Sequence, residues 1–391
     1  MPSRSQASAA VVASAGALVV AGLHDPRANT VSFTVLVLVW GAVVAGLLSR
    51  PDGPARQVVL LALVVRLPLL TVAPTLSDDA WRYVWEGRAW LHGLNPFVHP
   101  PDDPIFATLR DSTWEHVNHR EVPSIYPPFA QLLFVLVAPF GFLGWRLLST
   151  AGDLATVALL SRRTVRGAWL WALLPLPALE SAVSGHLEGV GVTLMVAAVV
   201  TGRGLWAWLG AMTKLLPGVL LVLEPRRRWP LWAALTLLVA FPIVRPTGFE
   251  IYRQTWAFNG SLFPLAERLF PEHARPLLQL AGALTVLGIS LRSRDPARIA
   301  LWTTGAFVCL SPTVHPWYVL WPLAAALLNA SSAWIVLGIT VPGAYMVLGT
   351  WTPEGWTESI ATRWWIYLPF YAALLWEGWR RLTRAGPAPV G

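Results

Sequence analysis

The chain has 391 residues, of which 55% are apolar and only 13% charged, with 30 Gly, 33 Pro, 23 Trp and one Cys. Soluble domains carry about 25% charged residues, so this composition excludes an ordinary water-soluble core and points to an all-α, polytopic integral membrane protein. The net charge of +8 comes from arginines clustered in short turns between apolar runs, which reads as positive-inside topology and not as a nucleic-acid surface. Cys309, the lone cysteine, excludes an intrachain disulfide framework and any cysteine-based metal site; a thiol in an apolar stretch is expected to be buried.

In chain order, apolar segments fall near 9–23, 31–48, 57–75, 127–143, 145–160, 167–183, 187–201, 204–223, 230–244, 276–291, 297–310, 315–329, 332–350 and 364–380. Many approach the roughly 20 residues that span a hydrocarbon layer about 30 Å thick. The first reads as a retained helix, since no clear cleavage site of a signal peptide follows it. Fourteen crossings are the upper bound. Arg50 and Arg56, Arg226 to Arg228, Arg292, Arg294 and Arg298, and Arg380, Arg381 and Arg384 mark the cytoplasmic side, with both termini inside. That count misplaces Arg162, Arg163 and Arg166 outside, unless 145–160 fails to cross and 204–223 is re-entrant around Pro217, which leaves twelve. The sequence is compatible with either number.

Under both counts the long polar segment 76–125 lies outside, as do 245–275 and the shorter 351–363. The first holds 8 of the 21 acidic residues and 4 of the 8 histidines. It opens on Ser77-Asp78-Asp79-Ala80-Trp81-Arg82-Tyr83-Val84-Trp85-Glu86-Gly87. With Ser77 as N-cap, both aspartates occupy a first helical turn, where free N–H groups favour ionised carboxylates that can act as bases. The i, i+4 spacing puts Asp78 and Arg82 on one face, and Asp79, Tyr83 and Glu86 share the next. The same spacing also suits a solvated, capped juxtamembrane helix. Gly93 to Pro104 is too rich in proline for regular structure, and Tyr126-Pro127-Pro128 re-enters the membrane with prolines at helix-start positions.

Lys214 is the one lysine among 29 basic residues, and it sits inside an apolar run. A compact ammonium where the chain otherwise uses arginine suggests a phosphate pocket; a lysine snorkelling to the interface is the alternative. Ser184-Gly185-His186-Leu187-Glu188 places a histidine and an acid at the mouth of an apolar segment. His-x-Glu suits a histidine paired with a nearby carboxylate better than a metal site. His315 stands between prolines at another outer helix start. Arg66, Asp153 and Glu180, inside apolar runs, read as a structural polar network between helices.

In their order, these motifs resemble the C superfamily of glycosyltransferases, multi-spanning enzymes that take sugar from a polyprenyl-phosphate carrier, and within it the bacterial family 87 of predicted mannosyltransferases. The resemblance rests on Asp78 to Gly87, Gly93 to Phe97, Tyr126 to Pro128, Gly185-His186, Lys214 to Pro217 and Ser311 to Tyr318, so it spans about residues 70 to 325. It extends to the eukaryotic enzyme that adds the first mannose of the glycosylphosphatidylinositol anchor, although that enzyme separates its two acids by one residue. Adjacent Asp78 and Asp79 therefore leave open which one acts. Glu188 stands where such relatives often carry Asp.

The resemblance implies a plasma-membrane enzyme of a bacterium, with its site outside, acting on a lipid-linked donor and a glycan or lipid acceptor. Asp78 or Asp79 would deprotonate the acceptor for inverting attack at C1, and Lys214, Arg82 and His315 would stabilise the departing phosphate. Glu86, Tyr126, His186 and Glu188 complete the expected substrate contacts. A divalent metal on Asp78, Asp79 and Glu86 is chemically reasonable, since hard cations choose oxygen ligands. A transporter or lipid flippase could use the same intramembrane cations, though the sequence has no two-half symmetry of the kind many transporters show. An inactive structural subunit of an envelope assembly is a further alternative.

Overall fold

A computed structural model describes residues 2–49, 54–241, 243–352 and 355–384. Among the described residues the regular secondary structure is helical, with isolated β-bridges and no strands. Five stretches are long and apolar enough to cross a membrane: Arg4–Gly22, Thr30–Leu47, Pro128–Ser161, Ala274–Arg292 and Ala333–Thr350. Their outward faces keep large apolar side chains such as Leu18, Val35, Leu284 and Leu291 exposed, as lipid contact requires.

Contacts at the helix ends sort the bundle into two ends. At one, Arg166 Nε donates to Leu48 O at 3.1 Å, Trp169 Nε1 to Pro54 O at 3.2 Å and Arg163 to Val200 O at 2.6 Å. Gly204 N donates to Glu224, which also pairs with Arg228. Leu327 packs on Gly167 and Asn329 bonds Ala297 O, so the turns near 295 and 330 lie at this same end. Glu377 caps the helix starting at Ala333 here as well, accepting from Ser332 and Ala333. The arginine-bearing turns thus share one end, as the positive-inside pattern anticipates. Arg50 lies outside the described residues, as does the side chain of Arg384.

The polar segments gather at the opposite end, where Asn95 Nδ2 donates to Ile243 O at 2.9 Å and Asn259 N to Glu358 at 2.9 Å. Two apolar segments depart from a simple pass between ends. Pro128–Val137 packs antiparallel on Asp79–Leu91: Trp90 Nε1 bonds Gln131, Tyr83 stacks on Phe134 and Trp81 lies against Phe142. It therefore stays at the loop end, and the chain turns at Gly141, whose φ of 61° suits glycine. Gly141–Ser161 then runs to the arginine end, from Arg146, bonded to Leu69 O and Ala182 O, down to Arg163. The segment that fails to pass is thus 127–143, not 145–160. The reason is polar: Gln131 and Tyr126 belong to the loop's own buried network.

The second departure is 204–223, which is re-entrant. Gly204–Ala211 rises, Leu216–Leu223 returns, and Gly210 lets Pro217 approach where a Cβ would be 2.8 Å away. The hairpin tip docks on the start of Pro128–Val137, Met212 O accepting the N–H groups of Phe129 and Ala130. Deeper in, Gly141–Ser161 and Glu188–Thr201 meet backbone to backbone because Gly152 and Gly189 carry no side chains, the small-residue packing that membrane helices favour. Arg66 and Asp153 form a buried ion pair at 2.7 Å, with Trp171 Nε1 on the same carboxylate, and Cys309 is partly buried. The expected polar network exists, but Glu180 belongs to a separate cluster.

Candidate active site

Asp79–Leu91 is amphipathic, and its buried polar side locks the adjoining loop. Glu86 accepts from Arg82 Nε at 2.9 Å, Ser124 Oγ at 2.7 Å and Gln131 Nε2 at 2.6 Å. Arg82 spends its remaining donors on the carbonyls of Asn118, His119 and Val122. With both charges neutralised and hydrogen-bonded, the pair can remain buried, and it fixes 118–126 beside the start of the helix. Arg82 pairs with Glu86, not with Asp78. It is therefore a clamp on the cavity wall and not a free cation for phosphate, and Glu86 is a structural tie.

The helix begins one residue later than Ser77 as N-cap implies. Asp78 occupies the cap position without a side-chain cap bond, and Asp79 N donates to Ser77 Oγ at 3.3 Å. The two carboxylates consequently diverge. Asp79 Oδ1 accepts from Asn118 Nδ2 at 3.1 Å and lines a cavity of about 40 Å³. Asp78 is exposed and is not among the residues lining that cavity. Crowding by the surrounding chain, and next the Asp79 charge, push its carboxyl above the ordinary carboxylate range.

Lys214, delivered by the hairpin tip, lines the same cavity. Its ammonium is not solitary: Nζ pairs with Glu188, whose side chain is fully buried, while Lys214 keeps 25% of its own exposed. Trp321 Nε1 donates to the same Glu188 oxygen at 3.3 Å, and Oε2 has no partner among the described residues. Nζ also sits 4.7 Å over the Tyr318 ring. An ammonium has three donors and Glu188 takes one, so hydrogen-bonding capacity remains toward the cavity.

Tyr126 and His315 complete the expected set on this wall. His315 stacks on Trp317 at 4.3 Å and on Phe258 at 4.9 Å, presenting a flat imidazole to the cavity. His186 is elsewhere: it lies behind the cavity, fully buried, paired with Glu180 and not with Glu188. Glu188 likewise reaches the site only through Lys214. The residues do not fit the proposed metal, because Glu86 is consumed by its hydrogen bonds and Asp78 and Asp79 diverge. Among the described residues no group of three or more His, Cys, Asp or Glu side chains is arranged to hold one.

Several lining residues escaped the sequence reading: Asn118, His119, Tyr252 and Trp256. Asn118 and His119 sit in the histidine-rich loop, a signal that was available. Tyr252 and Trp256 come from the second outer segment, with nothing in their spacing to flag them. They roof the site, Tyr252 hydroxyl meeting Tyr318 hydroxyl at 2.8 Å and Trp256 lying tilted against His119 at 4.2 Å. Burial pushes the Tyr252 phenol up to about 12, so it remains a proton donor at neutral pH. His119 is held below its ordinary value, chiefly by partial burial, although Glu121 and Asp79 pull the other way. Behind the roof, and sharing Tyr252, lies a second cavity of about 340 Å³ walled mainly by apolar side chains, among them Leu278, Val286, Phe307 and Leu310.

The arrangement can accept a proton at Asp79 and stabilise developing negative charge at Lys214 within one enclosed space. No family model, curated protein or solved structure matches this chain.

Proposed function

We propose that this chain is an integral membrane glycosyltransferase that moves a hexose, mannose by the motif resemblance, from a polyprenyl-phosphate carrier to a glycan or lipid acceptor, with inversion at C1. The observation that carries the reading is that Asp79 and the only lysine line one cavity. In this reading the acceptor oxygen attacks C1, its proton passes to Asp79, and the C1–O bond breaks with its electron pair going to the phosphate. Phosphate leaves readily without a general acid, so one base suffices. Lys214, with Tyr252 and Tyr318 lining the same cavity, stabilises the departing charge more than the ground state.

The adjoining apolar cavity supports a lipid carrier, because a prenyl tail can lie there while its phosphate reaches past Tyr252. At about 40 Å³ the polar cavity holds only a few waters, so donor entry requires the Tyr252 and Trp256 roof to lift. The proposed topology is the twelve-crossing one, with 127–143 and 204–223 not crossing, the arginine turns cytoplasmic and the site facing the outside of a bacterial plasma membrane.

The deciding experiment is purified protein in liposomes with radiolabelled polyprenyl-phosphate hexose. Label in any acceptor supports the enzyme. The broken hairpin 204–223 gives a transporter or flippase its one specific support, since such proteins use discontinuous helices. Movement of intact donor across the bilayer without transfer would favour that second reading.

A further inference from the structure

His186 contributes nothing to the cavity wall, yet it stands at the centre of an ordered chain of polar groups. Its Nδ1 is 2.8 Å from Glu180 Oε2, and Tyr345 hydroxyl donates to both Glu180 oxygens at 2.8 and 3.0 Å. Its Nε2 is 3.0 Å from Ser77 Oγ, which in turn accepts the backbone N–H of Asp79 at 3.3 Å. A carboxylate only accepts, so the Nδ1 proton faces Glu180, and Nε2 meets the Ser77 hydroxyl. Glu180 itself lies on the π-turn Leu179–Val183, a local distortion that recurs at functional sites. His186 also stacks on Trp317 at 3.7 Å, and Trp317 stacks on His315 at 4.3 Å.

Resting on the glycosyltransferase reading, we propose that Ser77, His186 and Glu180 are positioning residues that hold two walls of the cavity in register. One arm fixes the backbone of Asp79 through Ser77. The other fixes the His315 ring through Trp317. Both arms are anchored on the one buried carboxylate of Glu180, so base and opposite wall keep a common reference inside the bundle. The same Ser-His-Glu geometry resembles an activated nucleophile, but an oxyanion formed at Ser77 would face the two aspartates that follow it, and like charge there opposes such a step.

The test compares wild type with Ser77→Ala, Ser77→Thr and Tyr345→Phe in the liposome assay. A displacement of about 1 Å can cost on the order of 100-fold in rate, so Ser77→Ala is expected to lose 10- to 100-fold in kcat with KM and thermal midpoint unchanged. Ser77→Thr, which keeps the hydroxyl, restores the rate. Tyr345→Phe, which leaves Glu180 with His186 alone, gives a smaller loss and substitutes for Ser77→Ala if that variant does not fold. Wild-type kcat in both, or a loss confined to KM, overturns the proposal. So does radiolabelled hexose bound covalently to Ser77 in the absence of acceptor. Nitrogen-15 NMR of histidine-labelled protein reads the relay independently of activity: the proposal expects His186 to carry a proton on Nδ1, with the Nε2 signal moving in Ser77→Ala. A ring whose Nδ1 carries no proton, or an Nε2 signal unmoved in Ser77→Ala, overturns it. If wild type transfers no sugar, the glycosyltransferase reading falls, and the NMR result alone judges the relay.

Discussion

Replacing Lys214 separates stability from chemistry, provided its partner is treated with it. Glu188 is fully buried and Lys214 is a quarter exposed, so Lys214→Met strands a carboxylate with no compensating charge. Breaking a buried pair on one side costs about 3–5 kcal/mol, and the partial exposure of Lys214 puts the expected loss near the lower figure. The single variant should therefore unfold at lower temperature, and its inactivity alone would be ambiguous. The double variant Lys214→Met with Glu188→Gln removes both charges and should recover most of that stability. Transfer should not recover, because loss of one fixed stabiliser of developing charge costs roughly 10²–10³ in kcat. Thermal midpoints in detergent and initial rates of hexose transfer in liposomes measure the two effects separately. A double variant that regains stability and transfers within tenfold of wild type would refute the role of the ammonium.

Three other outcomes follow from the same geometry. Asp79→Asn should lower kcat by about 10²–10⁴, the usual contribution of a positioned base, whereas Asp78→Asn should stay within about tenfold, measured in the same transfer assay. His119, whose folded form binds its proton less readily than the unfolded chain, should cost stability as pH falls below its ordinary value of 6.5, because the unfolded state then takes up more protons; thermal midpoints from pH 7.5 to 5 should fall less steeply in His119→Gln. Gly248→Val should raise KM for donor and also lower the thermal midpoint, since a Cβ at Gly248 runs into Pro123 O, between the Val122 and Ser124 groups that tie down Arg82 and Glu86.

Much of the architecture was legible because lipid imposes simple demands. Apolar runs and arginine turns gave the helical bundle and its common basic end, and 204–223 turns back, one of the two arrangements the charge pattern left open. The misread segment, 127–143, is as apolar as its successor. What keeps it at the loop end is the partnership of Gln131 with Glu86, 45 residues earlier, and no hydropathy pattern carries such a pairing. Asp79 and Lys214, which line one cavity, stood out because an acid pair at a helix start and a single lysine are compositional oddities. Their surroundings were not legible: Glu188 meets Lys214 across 26 residues, His186 finds Glu180 only because a π-turn brings it round, and the Tyr252 and Trp256 roof comes from a different outer segment. Local spacing tied Arg82 to Asp78 and thereby missed the equally spaced Glu86, which offers a buried network in place of solvent.

A structure with polyprenyl phosphate bound is the decisive measurement. Phosphate oxygens should lie within hydrogen-bond distance of Lys214 Nζ, the prenyl tail along the apolar cavity beyond Tyr252, and the Asp79 carboxylate should face the same space. Phosphate held at the arginine-bearing end of the bundle, or in any cavity that Asp79 and Lys214 do not share, would contradict that placement.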